Sequence, residues 1–143
     1  MLFIYFDTQH AIETHDNIIL KSGGLMGMLN GGLLESTLEH VQNDLYYPNI
    51  EHKVTHIFYS VNKNHSFKDG NKRASIALAA YFLEVNGYDY RVSAFIERME
   101  NISVYVADNK IDKYLLFEIV KSMIYEIDYS ENLKLKIFQA LFN

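Results

Sequence analysis

The chain has 143 residues, 49% of them apolar and 22% charged, with a net charge of −5 and no cysteine. That is long enough for one domain with a sizeable core, spanning 1–143, and too apolar for a disordered chain. The acidic balance and the lack of a Lys/Arg cluster argue against a direct nucleic-acid binder, and without cysteine there is neither a disulfide framework nor a thiolate metal site. The apolar start, Met1 to Asp7, lacks a basic flank and is too short for a signal peptide, and no apolar run approaches the roughly 18–20 residues of a membrane span. The expectation is a soluble, cytoplasmic protein with no membrane partner.

Helical periodicity dominates. Ala11, Ile12, His15, Ile18 and Ile19 fall on one stripe, with Thr8 placed to cap its start. Residues 23–32 hold five of the seven glycines, too many for a stable helix, since each costs about 1 kcal/mol there. This segment reads either as a flexible connection or as a functional loop. Leu33, Leu34, Thr37, Leu38 and Val41 form a second stripe, and Ile50, Val54, Ile57, Phe58 and Val61 a third that runs into His65. A fourth helix, about Asn71 to Val85, is apolar almost all round and belongs at the centre of a bundle, with Asn86-Gly87 as its stop. Further helices are expected near 93–107, 112–125 and 131–142. The fold class is therefore all-α, a compact bundle of six to seven helices.

Residues 65–73 carry the chemistry: His65-Ser66-Phe67-Lys68-Asp69-Gly70-Asn71-Lys72-Arg73, just ahead of the central helix. Gly70 allows a tight turn, so that amide N–H groups at the helix start can face an anion. Lys72 and Arg73 at a helix N-terminus oppose the dipole unless an anion joins them. Asp69 suits a hard divalent cation, and His65 can move a proton near neutral pH. Phe67 reads as an apolar anchor that leaves Ser66 and Lys68 outward. The bland alternatives are a capping His65 and Asp69 and a solvated Lys72 and Arg73.

Read as H-x-F-x-D-G-N-K-R, this stretch resembles the Fic/Doc superfamily, specifically its death-on-curing (Doc) branch. Gly32-Leu33-Leu34-Glu35-Ser36, Tyr47-Pro48, Asn64-His65 and Asn86-Gly87 extend the likeness over about residues 7–127, leaving 128–143 as a C-terminal helical extension. The resemblance implies ATP and Mg²⁺ as cofactors and a set of roles. His65 matches the general base, Asp69 the Mg²⁺-binding acid, and Gly70 and Asn71 the anion-holding turn, the Asn71 side chain bonding phosphate or neighbouring loop groups. Lys72 and Arg73 match the two cations of the Doc-type ending. His65, Asp69, Asn71 and Arg73 are thus the catalytic candidates, and Gly70, Asn71, Lys72 and Arg73 hold the nucleotide. Family members also carry a short flap that clamps the target by strand-like pairing, which either 23–32 or Asp44 to Asn49 could supply.

Departures from the family pattern sharpen this. Adenylylating members read H-x-F-x-(D/E)-G-N-G-R-x-x-R, whereas here Lys72 replaces the second glycine and Ile76 the last arginine. The Doc branch, with lysine there, is associated with phosphorylation, although its prototype has alanine at the Gly70 position. The resemblance implies a toxin that moves a phosphoryl group from ATP to a protein hydroxyl, a threonine of elongation factor Tu, arresting translation, and that a small antitoxin restrains in trans. Adenylylation on the same scaffold and a non-catalytic nucleotide- or partner-binding module remain the alternatives. Ser122 to Ile127 half fits the self-inhibitory pattern (S/T)-x-x-x-E-(G/N), but its partner arginine is missing, and an ordinary exposed Glu126 is the better reading.

His52 and His56 are spaced i, i+4, yet Lys53 stands where a zinc protease needs glutamate; they read as surface or groove-lining residues. His10, His15 and His40 read as structural or solvated. The apolar tail from Tyr129 to Asn143 must be buried, either on its own bundle, which is favoured, or against a second copy in a homo-oligomer.

Overall fold

The computed structural model describes residues 2–142; Met1 and Asn143, the outermost residues of the expected domain, lie outside them. Among the described residues seven α-helices form the expected all-α bundle: α1 (Thr8–Ser22), α2 (Gly31–His40), α3 (Ile50–Lys63), α4 (Asn71–Leu83), α5 (Val92–Ala107), α6 (Lys113–Tyr125) and α7 (Glu131–Phe142). Among the described residues the only β-type pairing is an isolated antiparallel bridge between Met28 and Phe67.

The caps explain where the helices start. Asp7, not the expected Thr8, caps α1, its carboxylate accepting from the His10 amide at 2.8 Å. Asn30 caps α2 and Asp112 caps α6 in the same way. Because α2 begins at Gly31, the last two glycines of the 23–32 segment become helix and the loop shrinks to 23–30. The fourth helix ends at Leu83, short of the expected Val85, and helical geometry breaks at the expected stop, Asn86-Gly87, where Gly87 takes a left-handed φ of 90°. There the Asn86 side chain exchanges two hydrogen bonds with the Ile4 backbone, at 2.8 and 3.0 Å. This ties the N-terminal segment to the bundle, and Phe3 and Tyr5 pack on Phe82.

The centre is a pair, α3 against α4. The second contributes apolar and small residues, including Ala74, Leu78, Ala79 and Phe82. The first is the surprise, for besides Val54, Ile57, Phe58 and Val61 it buries Glu51, Lys53, Thr55, His56, Ser60 and Asn62. Each of those side chains is bonded to another element or to its own helix, Ser60 to His56. The Lys53 ammonium, with no exposed surface, donates to the Val41 carbonyl and to Asp44, both at 2.8 Å, under the rings of Phe3 and Tyr5. Asn62 donates to the Ser103 carbonyl at 3.0 Å, and Glu51 accepts from the Tyr125 hydroxyl at 3.1 Å. Buried polar groups are tolerated when paired in this way. These bonds fix the helix whose C-terminal end delivers residues 64–70.

The tail packs on its own chain, as favoured. Leu133 is buried, with Ile137 and Leu141 packed against the core, while Leu135, Phe138 and Phe142 face outward.

Candidate functional site

The chain leaves α3 at Lys63, turns through 64–70 and enters α4. Phe67 is the anchor the sequence suggests, fully sunk in the core, and it stacks on the buried His15 ring at 3.8 Å and 4°. Ser66 does not point outward as expected. It is buried, because its carbonyl accepts from both the Leu29 and the Asn30 amides, at 2.7 and 3.1 Å, which draws the residue inward. Lys68 is exposed.

Asn71 spends both ends of its side chain on the loop. Its oxygen accepts from the Phe67 amide at 3.2 Å, and its nitrogen donates to the Phe67 carbonyl at 3.0 Å. Of the two expectations for this amide, phosphate or loop groups, the geometry has the loop. It acts as a clip closing the turn from 67 to 71.

Residues 22–30 lie along the motif as a strap. The Lys68 amide donates to the Gly27 carbonyl at 3.0 Å and the Leu25 amide to Asp69 Oδ2 at 3.1 Å. Arg73 donates to Ser22 Oγ at 2.6 Å and to the Gly23 carbonyl at 2.8 Å. The Gly-rich segment is therefore the one beside the motif, whereas Asp44, in the alternative flap, is the partner of buried Lys53. The strand-like pairing of the strap is made with its own motif loop. Gly24 permits the approach: its φ is +126°, and a Cβ there would stand 2.7 Å from Asp69 Oδ2 and 2.9 Å from Ile19 Cδ1.

Four groups face outward. His65 has a left-handed backbone, φ 49°, rare for a side chain with a Cβ and a form of local strain that clusters at functional sites. Its ring is exposed and has no hydrogen-bond partner among the described residues. Asp69 keeps 43% of its side chain accessible. The backbone hydrogen bond from Leu25, then that from Gly70, and then the charge of Arg73 hold its carboxyl below the ordinary carboxylate value. Lys72 is exposed and makes no ion pair among the described residues; Arg73, half-buried, lies 4.0 Å from Asp69. The helix these cations open has Gly70 (φ 77°) at its cap and no side-chain cap, so its first N–H groups remain available to an anion. A part-exposed carboxylate, two cations and uncapped amides are a donor set that fits a phosphate chain with a divalent cation.

The remaining histidines sort by environment. His56 is buried, stacked on Tyr47 at 4.2 Å, its Nε2 3.3 Å from the Thr37 carbonyl; burial, helped by the Lys113 charge, pushes it down to about 4. His52 packs on Phe117, and no cluster of metal-ligating side chains occurs among the described residues. His10 stacks on Tyr81. Glu126 is exposed at the end of α6, as expected. One feature was not read from the sequence: the contact of His15, whose Nε2 lies 2.6 Å from the Asp69 carbonyl. The signal for His15 was its place on the apolar stripe of α1, which marks burial but not the partner.

Comparison with known proteins agrees with this geometry. The Fic/DOC family model matches residues 5–83, which takes in α1, the strap, the motif loop and all of α4. The chain is 31% identical over 94 residues to Toxin Doc of Mycolicibacterium smegmatis, covering 63% of this chain and 72% of that protein. It is 32% identical over 87 residues to Protein kinase doc of Escherichia phage P1, covering 58% and 68% respectively. No helix among the described residues is long and apolar enough to cross a membrane. With the motif seated between α3 and α4 and the matched residues spanning more than half its length, the chain belongs to the Fic/DOC family, in its death-on-curing branch.

Proposed function

We propose that this protein is a Doc-type toxin that transfers the γ-phosphoryl group of Mg-ATP to a hydroxyl of a protein target, with a threonine of elongation factor Tu as the target the family points to. The observation that carries the reading is the contrast within one loop. Phe67, Asn71 and Ser66 are committed to structure, while His65, Asp69 and Lys72 are left facing outward beside uncapped helix amides. Mg-ATP, when bound, supplies the transferable group. The chain's own residues position and neutralise, which is most of what phosphoryl transfer requires. The first amides of α4, with Lys72 and Arg73, hold the phosphates, and Asp69 is the carboxylate for Mg²⁺. The free His65 ring accepts the proton of the target hydroxyl as that oxygen attacks.

The strap favours a protein substrate. Leu25, Met26 and Leu29 are exposed large apolar side chains beside the motif, a surface suited to an extended target segment and unneeded for a small alcohol. A small antitoxin covering this face is the expected restraint. Glu126 is exposed at the end of α6, its carbonyl bonded to Arg91, which gives no support for inhibition in cis. A cytoplasmic site of action follows from such a target.

Adenylylation is the second reading, and Gly70 favours it, since this position matches the glycine of adenylylating members. Label transfer into an extract from γ-labelled and α-labelled ATP, with wild type and His65→Ala, separates the two. Label from the γ position alone, lost in the variant, is expected. Label from the α position would replace the proposal with adenylylation, and bound ATP without any transfer would leave a binding module.

A further inference from the structure

His15 is fully buried, and its one strong polar contact is to the backbone of the motif. Its Nε2 lies 2.6 Å from the Asp69 carbonyl. A carbonyl oxygen only accepts, so Nε2 carries the hydrogen and donates it. Its Nδ1 faces Asp16 at 3.3 Å, and its ring face lies flat on Phe67. One side chain from α1 thus grips the motif loop twice, by stacking at 67 and by hydrogen bonding at 69.

The hydrogen bond has a directional consequence. In a trans peptide the C=O of one residue and the N–H of the next lie in one plane and point in opposite directions. Turning the Asp69 carbonyl inward to His15 therefore turns the Gly70 N–H away from α1. That amide donates to Asp69 Oδ1 at 2.8 Å, on the part-exposed side. The same packing leaves no slack at Gly70, where an added Cβ would meet Ile19 Cδ1 at 3.0 Å and His15 Nε2 at 3.3 Å.

We propose that His15 is a positioning residue of the site: its Nε2–H fixes the Asp69–Gly70 peptide plane, and so holds the Gly70 amide on the Asp69 carboxylate and orients that carboxylate toward the bound Mg-nucleotide. The nucleotide part of this claim rests on the function proposed above. A merely core-filling histidine would need only its shape. His15→Phe keeps the ring on Phe67 and removes the donor, while His15→Gln restores a donating amide.

Asp69-Gly70 is the single Asp-Gly step in the sequence, so carbonyl-¹³C aspartate with ¹⁵N glycine isolates the Gly70 amide resonance. We expect His15→Phe to remain folded, to displace or broaden that resonance without ligand, and to weaken Mg-ATP binding by about tenfold, the scale of one lost hydrogen bond. His15→Gln should recover the resonance and most of the affinity. The proposal is overturned if His15→Phe leaves both readouts at their wild-type values, or if His15→Gln is as impaired as His15→Phe. Should the wild type bind no Mg-ATP while His15→Phe still displaces the Gly70 resonance, the nucleotide reading fails and the positioning of the peptide stands.

Discussion

His56 and His65 belong to one helix and its exit, yet they are in opposite states. His56 is buried, stacked on Tyr47 and held neutral; His65 is exposed, unbonded and in a left-handed backbone. Lys53 and Lys72 repeat the contrast, the first enclosed by a carbonyl, a carboxylate and two rings, the second free at a helix start. Within α3 the side chains of Lys53, His56 and Asn62 are bonded to the protein, and beyond its C-terminal end those of His65 and Lys72 are left for something else. Residue type did not distinguish these roles; partners and burial do.

The contrast breaks first at Lys53. Lys53→Ala removes a fully buried side chain and strips the Val41 carbonyl of its donor, and should cost about 3 kcal/mol in urea unfolding. A variant within 0.5 kcal/mol of wild type would show that this end of α3 is not held as described.

His56 provides a pH test. Its folded value is depressed from 6.5 to about 4, so between those values the unfolded chain binds the proton and the folded chain does not. Stability therefore falls as pH drops through that window, by up to about 3 kcal/mol at roughly 1.4 kcal/mol per unit. His56→Phe, which keeps the stack on Tyr47, should flatten this part of the curve. An unchanged acid slope would mean that His56 protonates freely in the fold.

Gly24→Ala tests the strap. The left-handed φ and the 2.7 Å approach to Asp69 predict a loss of about 1–2 kcal/mol, read as a lower melting temperature. A stabilised variant would place the strap away from Asp69. The smallest effect belongs to the outer face of α7, where Phe138→Ser should stay within about 0.5 kcal/mol, against a substantially larger loss for Leu133→Ala on the inner face. Equal losses would mean that both faces of α7 are covered.

Helix α7 was legible to the residue, since its apolar spacing and Glu131 start are local signals. The centrality of α4 was equally legible, as few polar residues interrupt it. The polar load of α3 was not, because its partners stand far along the chain: Lys53 meets Val41, Asn62 meets Ser103, and Tyr125 meets Glu51. His15 was missed for the same reason, its acceptor lying 54 positions away. Within the motif, the sequence displayed the chemically able residues but not which of them the loop consumes. The Asn71 side chain is spent on the Phe67 backbone, and Ser66 is buried with its carbonyl on the Leu29 and Asn30 amides, which only the fold shows. The choice of strap was likewise open until Leu25 and Gly27 were found on the motif.

The central claim is that the free histidine does the chemistry and the buried one does not. The direct measurement is the initial rate of γ-label transfer to the target for wild type, His65→Ala and His56→Phe, with melting temperatures recorded alongside. The account predicts that His65→Ala loses at least about a hundredfold in rate with its melting temperature unchanged, while His56→Phe stays within a few-fold at pH 7.5. Full transfer by His65→Ala, in a preparation free of wild-type protein, would contradict it.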